Sequence, residues 1–276
     1  MKTTREILKD YGYKAKKGRG QNFLVNEGVL QRIVDSAGLE ANDTVVEIGP
    51  GPGNLTRRLV KRAGTVIAIE SDHELSSILQ AELDSDNLTV RHADVLEVDL
   101  SGLFQRYGRM KVIANLPYNI TTPVLFKLLD NYSLFSELLL LVQLEVANRI
   151  TAFPGTKAYG VLAARTALLA DTELLFKVPP ESFRPRPRVT SALIRIKILE
   201  NPRADIAPEL YRRTVRAAFS RKRKTILNSL AESGEFSRAV AEDALAAAGI
   251  EPGRRAETLS VEEFARLGKA LFDKEG

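Results

Sequence analysis

The chain has 276 residues, of which 44% are hydrophobic and 27% charged, so it has enough material for one large or two smaller globular domains. It contains no cysteine, which excludes disulfides, thiolate metal sites and cysteine nucleophiles, and only two histidines. The longest apolar run, Leu138 to Val142, is too short to cross a bilayer, and the N-terminus lacks the apolar region of a signal peptide. We therefore expect a soluble, cytoplasmic monomer with no metal and no membrane partner.

The formal net charge of +5 is modest but unevenly distributed along the chain. Basic residues outnumber acidic ones at the N-terminus, alternate with prolines in a later stretch, and form one uninterrupted run. Three such clusters favour a polyanionic partner over a merely solvated surface. The clusters are Lys2, Arg5, Lys9, Lys14, Lys16, Lys17 and Arg19; Arg184, Arg186 and Arg188; and Arg221, Lys222, Arg223 and Lys224.

Up to residue 150, short apolar strands alternate with amphipathic helices, after a short N-terminal helix and a basic segment. This alternation predicts an α/β fold with a parallel sheet, in which right-handed crossovers bring ligand-binding residues to the carboxyl ends of the strands. The strands are predicted at residues 44–48, 65–69, 87–91, 111–114 and 138–142, and the helices around residues 29–34, 55–60, 75–83, 124–129 and 143–150.

Beyond residue 150 the pattern changes. A helix over residues 159–170 precedes two strands, at 174–178 and 189–198, that could form an antiparallel pair at the sheet edge. Glu200 to Arg203 has the composition of a boundary, and only helices are predicted after it, at residues 209–219, 222–230, 237–248 and 261–272. The sequence therefore predicts a large domain over residues 1–200 and a small helical domain over residues 201–276.

The first strand ends in a glycine-rich loop, Gly49-Pro50-Gly51-Pro52-Gly53, and Asn54 is expected to cap the helix that follows. A dinucleotide-binding loop would have a third glycine where Asn54 stands, and the prolines remove N–H groups that a pyrophosphate needs. S-adenosylmethionine has no pyrophosphate and needs only close approach of the backbone. Glu70, after the second strand, could bind its ribose hydroxyls, and Asp94, after the third, its adenine amino group. The alternative is that each carboxylate is only a helix N-cap or a solvated residue at a strand end.

The fourth strand ends in Asn115-Leu116-Pro117-Tyr118, a stretch whose residue types can hold a flat base. The Asn115 amide oxygen and a backbone carbonyl can accept hydrogen bonds from an exocyclic amine, and Pro117 stiffens the turn. Tyr118 offers a face for stacking, which contributes roughly 1–3 kcal/mol per base. An ordinary strand-to-helix turn uses similar residues, but the glycine loop and carboxylates upstream favour the functional interpretation.

In this order, the motifs resemble those of the rRNA adenine-N6 dimethyltransferase family, and the resemblance covers almost the whole chain. It implies a Rossmann-like class I S-adenosylmethionine-dependent methyltransferase with a small C-terminal all-helical domain that binds rRNA. The form it resembles most dimethylates two adjacent adenosines near the 3′ end of 16S-type rRNA. The expected partner is therefore small-subunit rRNA or an assembling 30S-type particle. The motifs are Gln21-Asn22-Phe23-Leu24, Val46 to Gly51, Glu70-Ser71-Asp72, Asp94-Val95-Leu96, Asn115 to Asn119, Phe183 to Ala192, and Arg221 to Thr225 with Asn228.

The resemblance also implies roles for individual residues. Around the target adenine, which must leave its stack, it places the tetrapeptide Asn115 to Tyr118 on one side and Phe183 on the other. Arg184, Arg186, Arg188 and the run 221–224 would contact rRNA phosphates. The residues placed against the cofactor are Asn22, Leu24, Gly49, Gly51, Glu70, Asp94 and Asn115.

One position bears on the branch of the family, and another departs from the family pattern. Members that modify large-subunit rRNA more typically carry Ile where Leu116 stands, and the family usually has Gln-Lys-Glu where this chain has Gln143-Leu144-Glu145, which removes one positive contact near the site. The alternatives are a large-subunit methyltransferase of the resistance type, a non-catalytic RNA-binding assembly factor, a DNA adenine methyltransferase and an NAD oxidoreductase. Intact Glu70, Asp94, Asn115 and Tyr118 argue against lost catalysis, and a dual role as enzyme and assembly factor stays open.

Overall fold

A computed structural model describes residues 3–16, 18 and 20–273, so Lys2, Lys17 and Arg19 of the predicted N-terminal basic cluster lie outside the described residues. The helices are α1 Thr4–Asp10, α2 Glu27–Ser36, α3 Thr56–Leu59, α4 His73–Glu82, α5 Leu100–Tyr107, α6 Thr121–Asp130, α7 Leu144–Ile150, α8 Val161–Leu169, α9 Pro208–Ala218, α10 Ile226–Ala231, α11 Arg238–Ala248 and α12 Val261–Phe272. The strands are β1 Phe23–Leu24, β2 Thr44–Ile48, β3 Thr65–Glu70, β4 Leu88–His92, β5 Met110–Asn115, β6 Phe135–Gln143, β7 Ala170–Val178, β8 Phe183–Arg184 and β9 Ser191–Ile198.

The central sheet has the strand order β4-β3-β2-β5-β6-β9-β7. Strands β2 to β6 pair in parallel, and β9 runs antiparallel to β6. The predicted parallel α/β sheet is therefore confirmed, and the two later predicted strands, β7 and β9, are neighbours at one edge. The direction of the chain across the sheet reverses at β2, because β3 lies on one side of it and β5 on the other. Ligands of open α/β sheets bind at such a switch point.

Strands β2, β3 and β5 end level with one another. Ile48 at the end of β2 lies opposite Ile69 of β3 on one side and opposite Ala114 of β5 on the other. These strands are apolar on both faces, and Val45 and Ile67 are fully excluded from solvent, as expected where helices cover both sides of a parallel sheet. The register is therefore fixed by packing on both faces, and the residues that follow the three strands come together.

Helix α5 and the short strands β1 and β8 are absent from the sequence-based prediction. The signals for α5 are in the sequence: Asp99 caps its first turn by accepting a hydrogen bond from the Ser101 N–H at 2.9 Å, and Leu100 and Leu103 are buried. Strands β1 and β8 have two residues each, too few for any periodicity. They pair with each other in a separate antiparallel ribbon.

The prediction that Asn54 caps a helix was wrong. Helix α3 begins at Thr56 without a side-chain cap. The Asn54 amide instead donates two hydrogen bonds, to Thr4 Oγ1 at 2.6 Å and to the Leu24 carbonyl at 2.7 Å. It therefore ties α1 and β1 to the glycine loop, which spacing along the sequence alone could not show.

The chain divides into two compact units, residues 1–147 with 173–198 and residues 148–172 with 199–276. The stretch 148–172, expected in the first domain, packs with the C-terminal helices instead. The reason is α8, which is buried over most of its surface, and whose Ala164 carbonyl accepts a hydrogen bond from the Tyr211 hydroxyl of α9 at 3.1 Å. A division of functions between a catalytic and an RNA-binding domain stays a prediction.

The second unit has an aromatic core. The ring of Phe264 in α12 lies 6.2 Å from that of Tyr211 and 6.0 Å from that of Phe219. Helix α12 begins with a capping box, in which the side chains of Ser260 and Glu263 each accept from the other's backbone N–H. Among the described helices, none is both long and apolar enough to cross a membrane.

One carboxyl group lies inside the core of the first unit. Glu47 of β2 is only 2% exposed, and its Oε2 atom has no hydrogen-bond partner among the described residues. Burial raises the pKa of Glu47 to about 8, and the nearby carboxylate of Glu70 adds to the shift. Because this value exceeds neutral pH, the group is mostly protonated in the folded protein at pH 7.

We expect Glu47 to make the folded protein less stable as pH rises from about 4.5 to about 8. Below this range both states hold the proton, and within it only the folded state does, so the free energy of unfolding falls by up to about 1.4 kcal/mol per pH unit. Glu47→Gln copies the protonated form and should flatten this decline. Chemical denaturation at several pH values measures it; equal slopes for both proteins would contradict the assignment.

Candidate active site

A cleft opens at the carboxyl ends of β2, β3, β4 and β5. Gly49 follows β2, while Glu70 and Asn115 are the last residues of β3 and β5. Because these strand ends are level, the three residues line the same cleft, and the segment before β1 covers it. The structure therefore brings together most of the residues that the sequence predicts. Those that line the cleft are Asn22, Gly49, Gly51, Glu70, Asp94, Asn115, Leu116, Pro117 and Tyr118.

The glycine loop needs glycine at the positions that touch the cleft. Gly49 and Gly51 have φ angles of +68° and +57°, a region that other residues adopt only at a cost. A Cβ atom on Gly51 would lie 2.9 Å from the ring of Phe23, closer than packed atoms approach. The loop backbone can therefore approach a ligand and the β1 segment at the same time.

Glu70 is held by the backbone of the two neighbouring loops. Its two carboxylate oxygens accept one hydrogen bond each, from the Gly51 N–H at 3.1 Å and from the Asp72 N–H at 2.9 Å. Burial raises the pKa of Glu70 above its ordinary value, against the effect of these two donors. Each carboxylate oxygen has a second lone pair, so the fixed group can still accept two further hydrogen bonds.

Asp94 lies in the loop after β4 and lines the cleft with its exposed side chain. One of its oxygens, Oδ1, accepts a hydrogen bond from the Leu96 N–H at 2.9 Å, which orients the carboxylate. His73 and His92 contact each other edge to face, with ring centroids 5.2 Å apart, and both are exposed. Neither histidine lines the cleft.

Asn115 is oriented by the segment that covers the cleft. Its amide nitrogen Nδ2 donates to the Asn22 carbonyl at 2.9 Å. This bond directs the amide oxygen Oδ1 to act as the acceptor for a ligand. The next residue, Leu116, donates its N–H to the Leu141 carbonyl of β6 at 3.2 Å, which keeps this turn aligned with the sheet.

The ring of Tyr118 is fixed by a residue that sequence reasoning missed. The Tyr118 hydroxyl and the Ser191 hydroxyl of β9 share a hydrogen bond of 2.7 Å, and Ser191 is fully buried. Burial raises the pKa of Tyr118, so the ring is neutral at pH 7. Ser191 lies inside the motif that begins at Phe183, and the buried hydrogen bond explains why a hydroxyl stands there.

Phe183 and Leu24 do not line the cleft with the other predicted residues. They lie opposite each other in the β1–β8 ribbon, and their side chains are buried in the hydrophobic core, Phe183 completely. The face of Phe183 that the sequence predicts to stack on adenine is covered by this core. The stacking role of Phe183 stays a prediction without support from this geometry. The pairing of β1 with β8 turns the ring toward the core, and the sequence does not reveal this pairing.

A second cluster that sequence reasoning missed lies beside the cleft. Asp72 is 1% exposed and accepts hydrogen bonds from the Tyr13 hydroxyl at 3.1 Å and from Lys16 Nζ at 2.9 Å. Although burial opposes it, these bonds hold the pKa of Asp72 below its ordinary value. Gln21 joins the cluster by accepting from the Tyr13 hydroxyl at 2.9 Å. Together they attach the N-terminal segment to the end of β3.

The basic residues predicted to bind RNA are exposed in both units. In the first unit, Arg184 ends β8, Arg186 and Arg188 follow it, and Arg186 forms an ion pair with Glu181. In the second unit, the run from Arg221 to Lys224 precedes α10. The sequence-based prediction of a helix over residues 222–230 placed most of this run inside the helix. All four residues of the run are exposed, and Arg221 forms an ion pair with Glu232 at 3.3 Å.

Comparison with known proteins agrees with this arrangement. The family model described as ribosomal RNA adenine dimethylase matches residues 12–273. A protein of Geobacter metallireducens named ribosomal RNA small subunit methyltransferase A is 46% identical over 96% of this chain and 98% of its own length. A protein of the same name from Clostridium botulinum (strain Loch Maree / Type A3) is 43% identical over 98% of both chains.

Solved structures give the same fold. The chain is similar to a dimethyladenosine transferase from Plasmodium falciparum, with a TM-score of 0.75 and 27% identity over 91% of this chain and 97% of the other. It is also similar to the 23S rRNA methyltransferase ErmE, with a TM-score of 0.68 and 29% identity over 91% and 99%. The predicted Rossmann-like methyltransferase fold and the predicted family are thereby confirmed. The chain belongs to the ribosomal RNA adenine dimethylase family.

Proposed function

We propose that this protein transfers methyl groups from S-adenosylmethionine to the N6 atoms of two adjacent adenosines near the 3′ end of small-subunit rRNA, as part of small-subunit biogenesis. The observation that carries the proposal is the orientation of Asn115, whose Nδ2 donates to the Asn22 carbonyl and whose Oδ1 therefore serves as an acceptor in the cleft. An exocyclic amine is the donor that suits an amide oxygen beside a backbone carbonyl.

The cleft suits S-adenosylmethionine as the methyl donor. The positive-φ glycines let the backbone come close to the ligand, and Glu70, already oriented by two N–H groups, can accept from two ribose hydroxyls. Asp94 lines the same cleft and can accept from the adenine amino group of the cofactor. When bound, the cofactor supplies a methyl group activated by its positively charged sulfur, so the protein need only position the acceptor. No cluster of three or more metal-ligating side chains occurs among the described residues.

The turn after β5 would activate the target nitrogen by hydrogen bonding. The N6 lone pair of adenine is delocalised into the ring, which makes it a poor nucleophile. Acceptance of its two hydrogens by Asn115 Oδ1 and the Leu116 carbonyl would favour a pyramidal nitrogen with a more available lone pair. Tyr118, held through Ser191, would stack on the base. Good orientation of the reactants accounts for roughly 7–11 kcal/mol of a barrier in favourable cases.

The proton of N6 leaves without a strong base. Glu70 and Asp94 are the only carboxylates among the described lining residues, and both lie in the part assigned to the cofactor. Asn115 is neutral, and the neutral Tyr118 is not a base at pH 7. The proton therefore passes to water after the new carbon–nitrogen bond has formed and the carbon–sulfur bond has broken.

The names of the relatives support the small subunit over the large one. Relatives at 43% and 46% identity are named for the small subunit, whereas ErmE, named for 23S rRNA, is 29% identical. The complete set of cleft residues favours a catalyst over an assembly factor without catalysis. Leu144, where the family usually has lysine, is half-buried and donates its N–H to the Thr190 carbonyl, so this position contributes packing rather than charge. A monomeric state and a cytoplasmic location stay predictions.

The proposal predicts that the protein dimethylates small-subunit particles that lack their native methylation. Labelled methyl from S-adenosylmethionine should appear as dimethyladenosine in the small-subunit rRNA. Asn115→Ala should lower the rate roughly 10²–10³-fold, the usual effect of removing one positioned hydrogen-bonding group. Label in large-subunit particles would assign the protein to the large-subunit branch of the family. No label despite cofactor binding would favour an assembly factor without catalysis.

Asn115→Asp serves as the matched control for that measurement. It keeps an acceptor in place but loses the donor to the Asn22 carbonyl. If the Nδ2 bond is what orients the acceptor, both variants lose rate while S-adenosylmethionine still binds, as measured by calorimetry. An Asn115→Asp protein as active as the wild type would show that the bond to Asn22 is unnecessary.

Gly51→Ala should weaken S-adenosylmethionine binding tenfold or more, because its Cβ atom would press on the Phe23 ring that lines the cleft. Gly38→Ala is the matched control, since Gly38 also has a positive φ of +49° but nothing lies within 4 Å of its Cβ position. Both variants should lose about 1–2 kcal/mol of stability from the left-handed conformation. Calorimetric titration with the cofactor separates them; equal affinities would show that the loop tolerates a side chain.

Ser191→Ala should lower kcat about 3- to 10-fold by releasing the Tyr118 ring, with cofactor affinity unchanged, since one hydrogen bond contributes roughly 0.5–1.5 kcal/mol. In a Tyr118→Phe background, which already lacks the hydroxyl, Ser191→Ala should have no further effect. Methyl-transfer rates of the four proteins form a double-mutant cycle. Independent effects of the two substitutions would refute a positioning role for Ser191.

A further inference from the structure

We infer that a basic groove on the first unit, here called the α1 groove, binds the single-stranded rRNA segment that adjoins the target adenosine. The groove lies between α1, the residues around α3 and the end of β8. The inference rests on the proposed function and extends it, since the predicted phosphate contacts at residues 184–188 and 221–224 do not say where the nucleotides next to the target adenosine lie.

Three stretches that are far apart in the sequence form this groove. The Asn54 amide holds them together, with hydrogen bonds to Thr4 Oγ1 in α1 and to the Leu24 carbonyl in β1. Arg184 of β8 lies opposite Phe23 of β1 in the antiparallel ribbon, which brings the β8 end to the same place. The groove is thus built on fixed hydrogen bonds rather than on chance proximity of surface side chains.

The charges of the α1 groove are strongly unbalanced. Its one acidic lining residue, among those described, is Glu27, which forms an ion pair with Arg58. Positive groups line both walls, on α1, around α3 and on β8. They are Arg5, Lys9, Arg57, Arg58 and Arg184. A groove with cations on opposite walls can track a phosphodiester backbone, as basic grooves for single strands do.

Arg57 has a largely buried guanidinium beside this groove. Its side chain is only 11% exposed, and Nη1 donates to the Glu82 carbonyl at 2.8 Å. Its Nη2 atom is buried and has no hydrogen-bond partner among the described residues, with the Glu82 carboxylate 4.0 Å away. Glu82 thus holds the Arg57 guanidinium in place, which gives the groove a positive charge at a fixed position.

Part of the remaining lining of the groove is apolar, and its size suits more than a simple anion. Leu8, Ala15, Val25 and Pro185 contribute apolar surface beside the cations. The groove has a volume of about 1030 Å³, at the upper limit of pockets for drug-sized ligands, which is roughly 1,000 Å³. Apolar surface beside cations matches a nucleotide, which presents a flat base beside its charged phosphate.

The α1 groove and the active-site cleft share a wall. Phe23 lines both of them, and its ring packs against Gly51 of the glycine loop. A strand whose adenosine enters the cleft therefore has its neighbouring nucleotides within reach of the groove. This continuity selects the target strand itself, rather than a distant part of the rRNA, as the occupant.

The test compares Arg5→Ala/Lys9→Ala with the charge-matched control Lys61→Ala/Lys177→Ala. Arg5 and Lys9 are exposed on one face of α1, where alanine favours the helix, and Lys61 and Lys177 are exposed in the same unit but do not line the groove. We measure binding to a naked single-stranded rRNA fragment over a range of salt, together with methyl transfer to unmethylated particles and cofactor affinity.

The groove variant should raise KM for the particle and leave kcat and cofactor affinity unchanged. Its plot of log affinity against log salt should lose about 1.4 in slope, or about 0.7 for each of two lost single-strand phosphate contacts.

The control variant should match the wild type in all three measurements. An equal salt slope for the groove variant and the control would overturn the inference, and so would a loss of cofactor affinity, which would show that α1 acts only by supporting the cleft. Weaker binding to the particle alone, with the naked fragment bound normally, would also overturn it in favour of a ribosomal protein contact. A wild-type protein that methylates no rRNA would instead remove the proposed function on which the inference rests, an outcome distinct from the others.

Discussion

The active site depends on the level pairing of three parallel strands. Ile48 lies opposite both Ile69 and Ala114, so the glycine loop, Glu70 and Asn115 are brought to one edge of the sheet. A slip of one residue would turn each of these side chains to the other face, and burial on both faces prevents it. The relative positions of the cleft residues are therefore fixed by the hydrophobic core beneath them rather than by contacts among the polar residues themselves.

The segment that covers this edge is attached differently. Its regular structure, where described, consists of α1 and β1, and polar contacts link it to the sheet: Asn115 to the Asn22 carbonyl, Asn54 to Thr4 and Leu24, and Lys16 to Asp72. A small hydrophobic cluster adds to these contacts, in which Ile7, Tyr13 and Phe23 pack with Leu75 and Ile78 of α4. In the proposed function, the bond from Asn115 to the Asn22 carbonyl orients the acceptor, so cofactor binding and base recognition would depend on one another.

In the proposed function, recognition of RNA draws on two kinds of surface. The cleft has no cation among its described lining residues, and it would hold one base by an amide oxygen, a carbonyl and a tyrosine ring. The α1 groove and the exposed runs at residues 184–188 and 221–224 offer positive charge, which positions a strand without reading its sequence. Separating the two roles would let the cleft select adenine while phosphate contacts supply most of the affinity.

The sequence by itself determined the parallel α/β fold, the family and the residues at the strand ends, because strand periodicity, glycine spacing and ordered motifs are local properties. Local signals also existed for α5, whose Asp99 cap and buried leucines follow an ordinary helix pattern. Only the tertiary structure decided the rest. In the structure, Asn54 binds α1 instead of capping a helix, and Phe183 pairs with Leu24 and is buried in the core. Residues 148–172 belong to the second unit, and Ser191 shares a hydrogen bond with Tyr118. Each of these depends on a partner more than twenty residues away, and no periodicity along the chain records which distant group a side chain will meet.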